Sequence, residues 1–327
     1  MTVAPTRAFD DTLELDAIWA PPPSDPPRRP RRPRWRWVPR RRVGPVSPGQ
    51  RLGAQIARLL ALVLLSLAAY VVVVGNLEHL IAQDRLHQQF TQQLAEGTAP
   101  VSEGRFDDVL LSDGAPVAQL TIPQIGVDET VVEGTDSSNL ALGPGHRRDT
   151  SLPGQAGVSV IMGRHSTFGG PFRHIEELGP GDRFTAVTGQ GEQTFEVIGV
   201  FYGGDAGPAS AKAGESRLLL ETARGPAFFP TSIVRVYAQL ISEPQPRGAR
   251  DTTFRTLPAT DKEMAGDTSR AWALVFALQL AIVVAAGAVW THRRIGARQA
   301  WAVFVPLGLL AFFLVADQSV RMLPNLM

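Results

Sequence analysis

Three long apolar runs stand out in a chain that otherwise mixes hydrophobic and polar positions. They read LLALVLLSLAAYVVVVGNL from Leu59, AWALVFALQLAIVVAAGAVWT from Ala271 and AWAVFVPLGLLAFFLVA from Ala300. A helix needs about 20 apolar residues to cross a bilayer, whereas a buried helix of a soluble domain usually keeps a polar face. We therefore predict three transmembrane helices, which occupy residues 53–77, 270–291 and 300–318.

The region between the first two runs has a different pattern, in which short strand-like segments alternate with turns. The segments are VAQLTI, VDETVVEG, SVIMG, RFTAVTG, QTFEVIGVFY, RLLLETA and SIVRVYAQLI. Separators such as GPGH, LPGQAG and GPGD have the composition of turns. Short strands at this density predict a mainly β domain, either a closed barrel or a sandwich, over residues 116–242.

The segments that remain are polar or of low complexity. Residues 1–52 are rich in Pro and Arg, and because proline at this density prevents a packed core, we predict a disordered arm. A helix continues the first run as far as Gly97, so residues 78–115 are predicted to be a helix and a linker. The other predicted segments are a polar linker at 243–269, a loop at 292–299 and a tail at 319–327.

Positive charge predicts how the chain crosses the membrane. Nine arginines lie between Arg28 and Arg42, just before the first run, and three more lie in the loop 292–299. Segments rich in Lys and Arg next to transmembrane helices stay on the cytoplasmic side. We therefore expect a multi-pass plasma-membrane protein with a cytoplasmic N-terminus, an extracytoplasmic β domain and a short extracytoplasmic tail.

The overall composition excludes several classes of function. The formal net charge is only +1, so we expect the arginine-rich arm to bind anionic membrane lipid rather than nucleic acid. The chain has no Cys, which excludes disulfides, Cys-based zinc sites and thiol nucleophiles. Its six His show no paired metal spacing such as HExxH, and we predict neither a metal nor a cofactor.

One stretch of the β region resembles a known family. Residues 119–182 contain IPQIGVDETVVEGT, then GPGH followed by SLPGQAG, and then GRHSTFGGPF followed by LGPGD. These elements, in this order, resemble the sortase family, most closely its class E branch from actinobacteria. The resemblance implies an eight-stranded β-barrel outside the membrane, held by an N-terminal span. It also implies a domain that cleaves a sorting signal such as LPxTG and joins the product to an amine at the cell surface.

The resemblance also indicates where the family keeps its catalytic groups, which are a Cys nucleophile, a His for proton transfer and an Arg that stabilises the oxyanion. At the Cys position, the end of LLLETA, this chain has Ala223. At the His position it has Arg164, with His165 next to it. At the Arg position it has Ile233 or Ser232, and Arg235 lies two residues beyond Ile233, on the same side of a strand.

All three positions thus depart from the family pattern, and covalent catalysis ends without its nucleophile. We therefore predict a pseudosortase that is not an enzyme. Its predicted function is to bind a cell-surface peptide or protein that carries a sorting-type signal. Two alternatives stay open: an active transpeptidase or hydrolase with an unconventional nucleophile, and a structural subunit of a membrane assembly.

Two further sets of residues are candidates for the site. The candidates for lining the peptide groove are His146, His165, Thr222 and Arg235. A motif outside the β region spells the LPxT core of a sorting signal, with Leu257, Pro258, Ala259 and Thr260. An apolar run and HRR follow it, which is the layout of a cell-wall sorting signal. Coincidence, a relic of a fused substrate and a pseudo-substrate that occupies the domain's own groove are the open interpretations.

Overall fold

The computed structural model of the chain describes residues 48–104, 110–227, 229–269 and 271–327. Most of the arm predicted to be disordered, residues 1–47, lies outside the described residues. The nine arginines between Arg28 and Arg42 lie outside them as well.

One helical stretch leads from the first apolar run to the β domain. It consists of the α-helix α1 (Pro48–Ala69), a π-helical turn (Tyr70–Val74) and the α-helix α2 (Gly75–Glu96). The N–H of Gly75 donates to the carbonyl of Tyr70 and joins the π-helical turn to α2. The backbone therefore stays helical beyond residue 77, where the sequence pattern placed the end of the span. The stretch ends at Gly97, whose φ of 68° closes the last turn.

The β region closes into an eight-stranded barrel. Its strands are β1 (Pro116–Ile122), β2 (Val127–Glu133), β3 (Gly145–His146), β4 (Gly157–Met162), β5 (Arg183–Thr188), β6 (Gly191–Tyr202), β7 (Ser216–Arg224) and β8 (Ser232–Leu240). Around the barrel they follow the order β1-β2-β3-β4-β7-β8-β6-β5, and β5 pairs with β1. The expected mainly β, eight-stranded barrel is confirmed. Strand β3 was not in the predicted set because two residues carry no alternation.

Side chains alternate between the barrel interior and its outer face. Leu218 and Leu220 of β7 point inward, where they join the core built from all the longer strands. Phe184 and Phe195 stack in that core with ring centroids 5.6 Å apart. The intervening residues of β7, such as Leu219, belong to a second apolar cluster on the outer face. This outer face of β4, β7 and β8 carries the candidate site.

The two C-terminal apolar runs form a helical hairpin. Helix α3 spans Ala271–Arg294 and helix α4 spans Ala297–Arg321. Most of the predicted loop 292–299 is therefore helical, because its basic residues form the last turn of α3 and the first turn of α4, and only residues 295 and 296 connect them. Together with the helical stretch Leu60–Glu96, three helices are long and apolar enough to cross a membrane.

Polar side chains hold the end of α4 against the first helical stretch. The Tyr70 hydroxyl donates to Asp317 across 2.5 Å, and Arg321 donates to Asp317 at 2.6 Å and to Glu78 at 3.0 Å. The bond between Arg321 and Asp317 lies within α4, and the other two join α4 to the helical stretch that leads into the barrel. Residues 322–327, which follow α4, are thereby placed beside the barrel.

The segment 243–269, predicted to be a polar linker, packs against the barrel. The buried carboxylate of Glu103 accepts hydrogen bonds from the N–H groups of Asp251 and Thr252. The Thr135 hydroxyl donates to the carbonyl of Asp261 at 2.6 Å. The polar composition suggested a solvated linker, but these polar groups are satisfied by buried partners instead.

Candidate functional site

The site is a groove on the outer face of β4, β7 and β8, and its floor is apolar. Ala223 lies near the end of β7, directly opposite Ile233 of β8, and only 2% of its surface is exposed. Val160 and Met162 of β4 and Leu219 of β7 pack in the same cluster. Ala223 therefore presents a methyl group to the groove.

Arg164 is fully buried and ties together the loops at one end of the groove. Its Nη2 donates to the carbonyl and the hydroxyl of Ser137, both at 2.7 Å, and its Nη1 donates to the Thr167 hydroxyl at 2.9 Å. The guanidinium lies 4.9 Å from the ring centroid of Phe168. Burial, and then the charge of Arg321, lowers the pKa of Arg164 to about 9. The guanidinium is thus a positively charged structural bridge at neutral pH.

His165 is half-buried beside the position of Ala223. The two residues line a small cavity together with Ser166 and Met327. Burial, and then the charge of Arg173, lowers the pKa of the His165 imidazole, so the neutral form is favoured. Its Nδ1 is buried and has no hydrogen-bond partner among the described residues. The structure therefore brings an imidazole and a hydroxyl near the groove floor.

Residues 322–327, which we call the groove segment, lead from α4 to the groove, where Leu326 and Met327 lie beside the Ala223 position. Leu326 is fully buried and belongs to the apolar cluster of the floor. Its carbonyl accepts a hydrogen bond from the N–H of His165 at 3.0 Å. The main-chain oxygen of Met327 accepts one from the Thr167 hydroxyl at 2.6 Å. The groove is therefore occupied by the protein's own chain.

Asn325 fixes the groove segment from the opposite wall. Its side-chain amide donates to the carbonyls of Thr135, at 2.8 Å, and Lys262, at 3.0 Å. Its backbone N–H donates to the carbonyl of Ala265 at 2.9 Å. Asn325 is fully buried, so these bonds replace the water that its amide nitrogen and backbone N–H would otherwise bind, while its Oδ1 has no partner among the described residues.

Arg235 bridges two carboxylates further along the same face. It donates to Glu221 at 2.8 Å and to Glu263 at 2.6 Å. Burial, and then the charge of Glu263, raises the pKa of Glu221 to about 7, although Arg235 opposes that shift. The strand register pairs Arg235 with Glu221, two residues before Ala223. The Arg235 guanidinium is therefore bound by two carboxylates, one of them two residues before Ala223 on the same strand.

Most of the barrel matches a known protein family. Residues 120–232 match the family model of the Sortase domain. The barrel is a sortase domain.

Similar proteins come from several bacteria. The chain is 37% identical over 79 residues to Sortase D of Bacillus subtilis (strain 168), a match that covers 24% of this chain and 38% of that protein. A Clostridium perfringens Sortase D5 transpeptidase is 20% identical with a TM-score of 0.40, over 50% of this chain and 99% of the other. Sortase E from Streptomyces avermitilis is 26% identical with a TM-score of 0.34, over 40% and 91% of the two chains.

Two of the predicted groove residues lie elsewhere in the sortase domain. Thr222 faces away from the groove, where its hydroxyl donates to the carbonyl of Gly163 at 2.8 Å. Strand alternation explains this placement, since its neighbour Ala223 faces the groove. His146 is fully buried, with Nδ1 at 2.9 Å from a carboxylate oxygen of Glu133 and Nε2 at 2.9 Å from the carbonyl of Ser151. Neither side chain lines the groove.

The motif Leu257–Thr260 lies beside the groove segment rather than over Ala223. Leu257 is buried, and Ala259–Asp261 forms a 3-10 helix instead of an extended strand. The carbonyl of Thr260 accepts a hydrogen bond from the Asn325 amide at 3.5 Å. Sequence reasoning missed the groove segment, although its Leu-Pro-Asn at 323–325 repeats the Leu-Pro of the motif and was the available signal.

Proposed function

We propose that the protein is a membrane-anchored pseudosortase whose groove binds a peptide without cleaving it. The observation that carries the proposal is Ala223, which stands at the nucleophile position implied by the sequence resemblance and lies in one apolar cluster with Ile233 and Leu326. Covalent transfer of an acyl group needs a thiolate or hydroxyl at this point, and a methyl group cannot form the intermediate.

The other two positions support the same conclusion. Arg164 is fully buried and its guanidinium is bonded to Ser137 and Thr167, so it cannot exchange protons with a leaving amine in the groove. Ile233 offers no hydrogen-bond donor to an oxyanion, and stabilisation of that charge is usually a large contribution to catalysis. Arg235 is held by Glu221 and Glu263, which neutralise its charge locally. None of the three positions implied by the resemblance thus supplies the group that acyl transfer requires there.

The groove nevertheless keeps features that suit a peptide. Its floor is apolar, while N–H, hydroxyl and carbonyl groups line both walls and can satisfy a bound main chain. His165 and Thr167 donate from one wall, and Thr135 and Lys262 accept on the other. This combination gives affinity through the main chain and selectivity through a side-chain pocket.

The absence of turnover is the direct test. The purified full chain in detergent should not cleave a fluorogenic LPxTG-type peptide above the rate of buffer, with or without an added amine. Loss of the nucleophile alone costs roughly 10⁶-fold in a well-studied hydrolase. Thiol reagents should have no effect, because the chain has no Cys.

The variants Ser166→Ala and Thr222→Val make that test decisive. Ser166 lines the cavity beside Ala223, whereas Thr222 faces away from the groove and serves as the matched hydroxyl control. Turnover that disappeared in Ser166→Ala and persisted in Thr222→Val would establish a hydroxyl enzyme and refute the proposal.

We also propose that the sortase domain is extracytoplasmic and that the α3–α4 connection is cytoplasmic. The arginines of that connection support this orientation by the positive-inside rule. The contacts of the groove segment agree with three spans, since α4 must end on the side of the membrane where the barrel lies.

Single cysteines test this orientation cleanly because the chain has none. Ser210 and Ala297 are both exposed, on the barrel and at the start of α4. On intact cells, a membrane-impermeant maleimide should label Ser210→Cys and should not label Ala297→Cys until the membrane is permeabilised. The reverse pattern would invert the topology.

A further inference from the structure

The groove segment has the contacts of a bound ligand. Leu326 fills the apolar floor and Asn325 is surrounded by carbonyls, and both residues are fully buried. The partners come from three regions far apart in sequence, the loops at 135 and 165–167 and the packed segment 260–265. A segment that merely followed α4 would not need matched partners on both walls of the groove.

We propose that the groove segment is the built-in ligand of the groove, and that a second peptide binds there only after the segment has left. This inference rests on the proposed function, because it takes the groove to be a peptide site. A competing peptide would carry a carboxamide at the position of Asn325 and an aliphatic side chain at the position of Leu326.

The carboxamide requirement follows from the wall around Asn325. The carbonyls of Thr135 and Lys262 both accept hydrogen bonds, so a side chain in this place must donate two. A primary amide carries two donor hydrogens, whereas an ionised carboxylate carries none. A peptide with Asp in place of Asn would bring a buried negative charge against carbonyl oxygens.

The aliphatic requirement follows from Ala223 and Ile233. At these two positions the sequence resemblance implies a thiol and a guanidinium, but here both side chains are apolar and pack in the cluster that receives Leu326. An aliphatic side chain is stabilised in such a pocket, whereas a polar one loses its water without gaining a partner. The substitutions that remove catalytic groups thus create the pocket that Leu326 fills.

The tether to α4 makes the segment a strong competitor. Leu323 packs against the apolar cluster that contains Tyr70, Phe168 and Val320, only three residues before Leu326. A ligand held by such a short tether has an effective concentration near millimolar. A free peptide of modest affinity therefore finds the groove occupied.

Two measurements on the full chain in detergent test the inference. The first is the rate at which a maleimide labels Leu326→Cys, with Phe229→Cys on the exposed barrel surface as the reference. The second is binding of a fluorescent Met-Leu-Pro-Asn-Leu-Met peptide to the wild type, to Leu326→Asp and to a chain that lacks residues 322–327. The same peptide with Asp in place of Asn is the ligand control, and Met322→Gln is the protein control.

We expect Leu326→Cys to react at least about tenfold more slowly than Phe229→Cys. Removal of the segment, by Leu326→Asp or by deletion, should raise the apparent affinity for the peptide at least about tenfold, and Met322→Gln should leave it unchanged. Equal labelling of the two cysteines, together with equal peptide affinity with and without the segment, would overturn the inference and leave the proposed function standing.

A different result would be slow labelling of Leu326→Cys together with no peptide binding to Leu326→Asp or to the deletion variant, which we call the opened variants. It would refute the groove as a peptide site, and with it the competition inferred here. The deletion variant guards against misfolding of Leu326→Asp, since it buries no new charge. Both opened variants should keep the β-sheet circular dichroism of the wild type.

Discussion

Replacing Glu133 with Gln should lower the free energy of unfolding by about 3–5 kcal/mol, because it leaves a buried guanidinium without its carboxylate. Glu133 is fully buried, and its oxygens lie 3.3 Å from Arg250 and 2.9 Å from His146. The Arg250 side chain is buried as well, and it belongs to the segment 243–269 that packs against the barrel. The carboxylate therefore compensates a charge that has little access to water.

The surface pair Arg183–Glu196 provides the control. Its side chains are 65% and 37% exposed, so Glu196→Gln should change the stability by less than about 1 kcal/mol. Chemical unfolding of the full chain in detergent, followed by β-sheet circular dichroism, measures both variants. An effect of Glu133→Gln as small as that of Glu196→Gln would show that Arg250 finds other compensation.

The same carboxylate makes a pH prediction with a definite sign. Burial alone would raise the pKa of Glu133, but His146 and then Arg250 outweigh it and hold the pKa below the ordinary value of 4.5. Its contribution to stability is therefore complete above pH 4.5 and is lost as the pH falls through the lower folded pKa. The stability difference between the wild type and Glu133→Gln should shrink accordingly in acid.

Much of the fold follows from local pattern, while the elements that the pattern omits depend on distant contacts. Alternation predicted the long strands, and apolar length predicted the three helices. Strand β3 is two residues long and exists because it pairs with both β2 and β4. The segment 243–269 has a polar composition, yet Glu103 and Thr135 satisfy its backbone from more than 100 residues away. Such partners leave no periodic signal.

The candidate site shows the same division. The resemblance together with strand alternation places Ala223 and Ile233 opposite each other on one face, as the register has them. It does not indicate that Arg164 is bonded to Ser137 inside the protein, because that requires the packing of two loops. The groove segment lies about 100 residues beyond Ala223 in the chain, so only the folded structure brings Leu326 to it.

Restoring the catalytic groups should restore chemistry only when the groove segment is removed as well. The restored set is Ala223→Cys, Arg164→His, His165→Arg and Ile233→Arg. Leu326 belongs to the same apolar cluster as Ala223, and Met327 lines a cavity with it, so a thiol placed there would be covered by the segment. We therefore expect slow hydrolysis of an LPxTG-type peptide, and alkylation of the new thiol, from the restored set without residues 322–327. With the segment present, both reactions should be suppressed.

The restored groups should act as a unit. The thiol alone should do little, because near its free pKa of about 8.5 it is only a few per cent thiolate at neutral pH and has no acid for the leaving amine. Adding the acid–base group should raise turnover by about 10²–10⁴-fold over Ala223→Cys with the same deletion. Arg164→His also removes the bonds to Ser137 and Thr167, so thermal unfolding of each variant must show that the barrel is intact. The chain that carries the whole restored set and lacks residues 322–327 is the deciding one. If it folds but neither binds nor cleaves the peptide, the groove has lost its peptide site. The helices and the barrel would then be left with a structural role in the membrane.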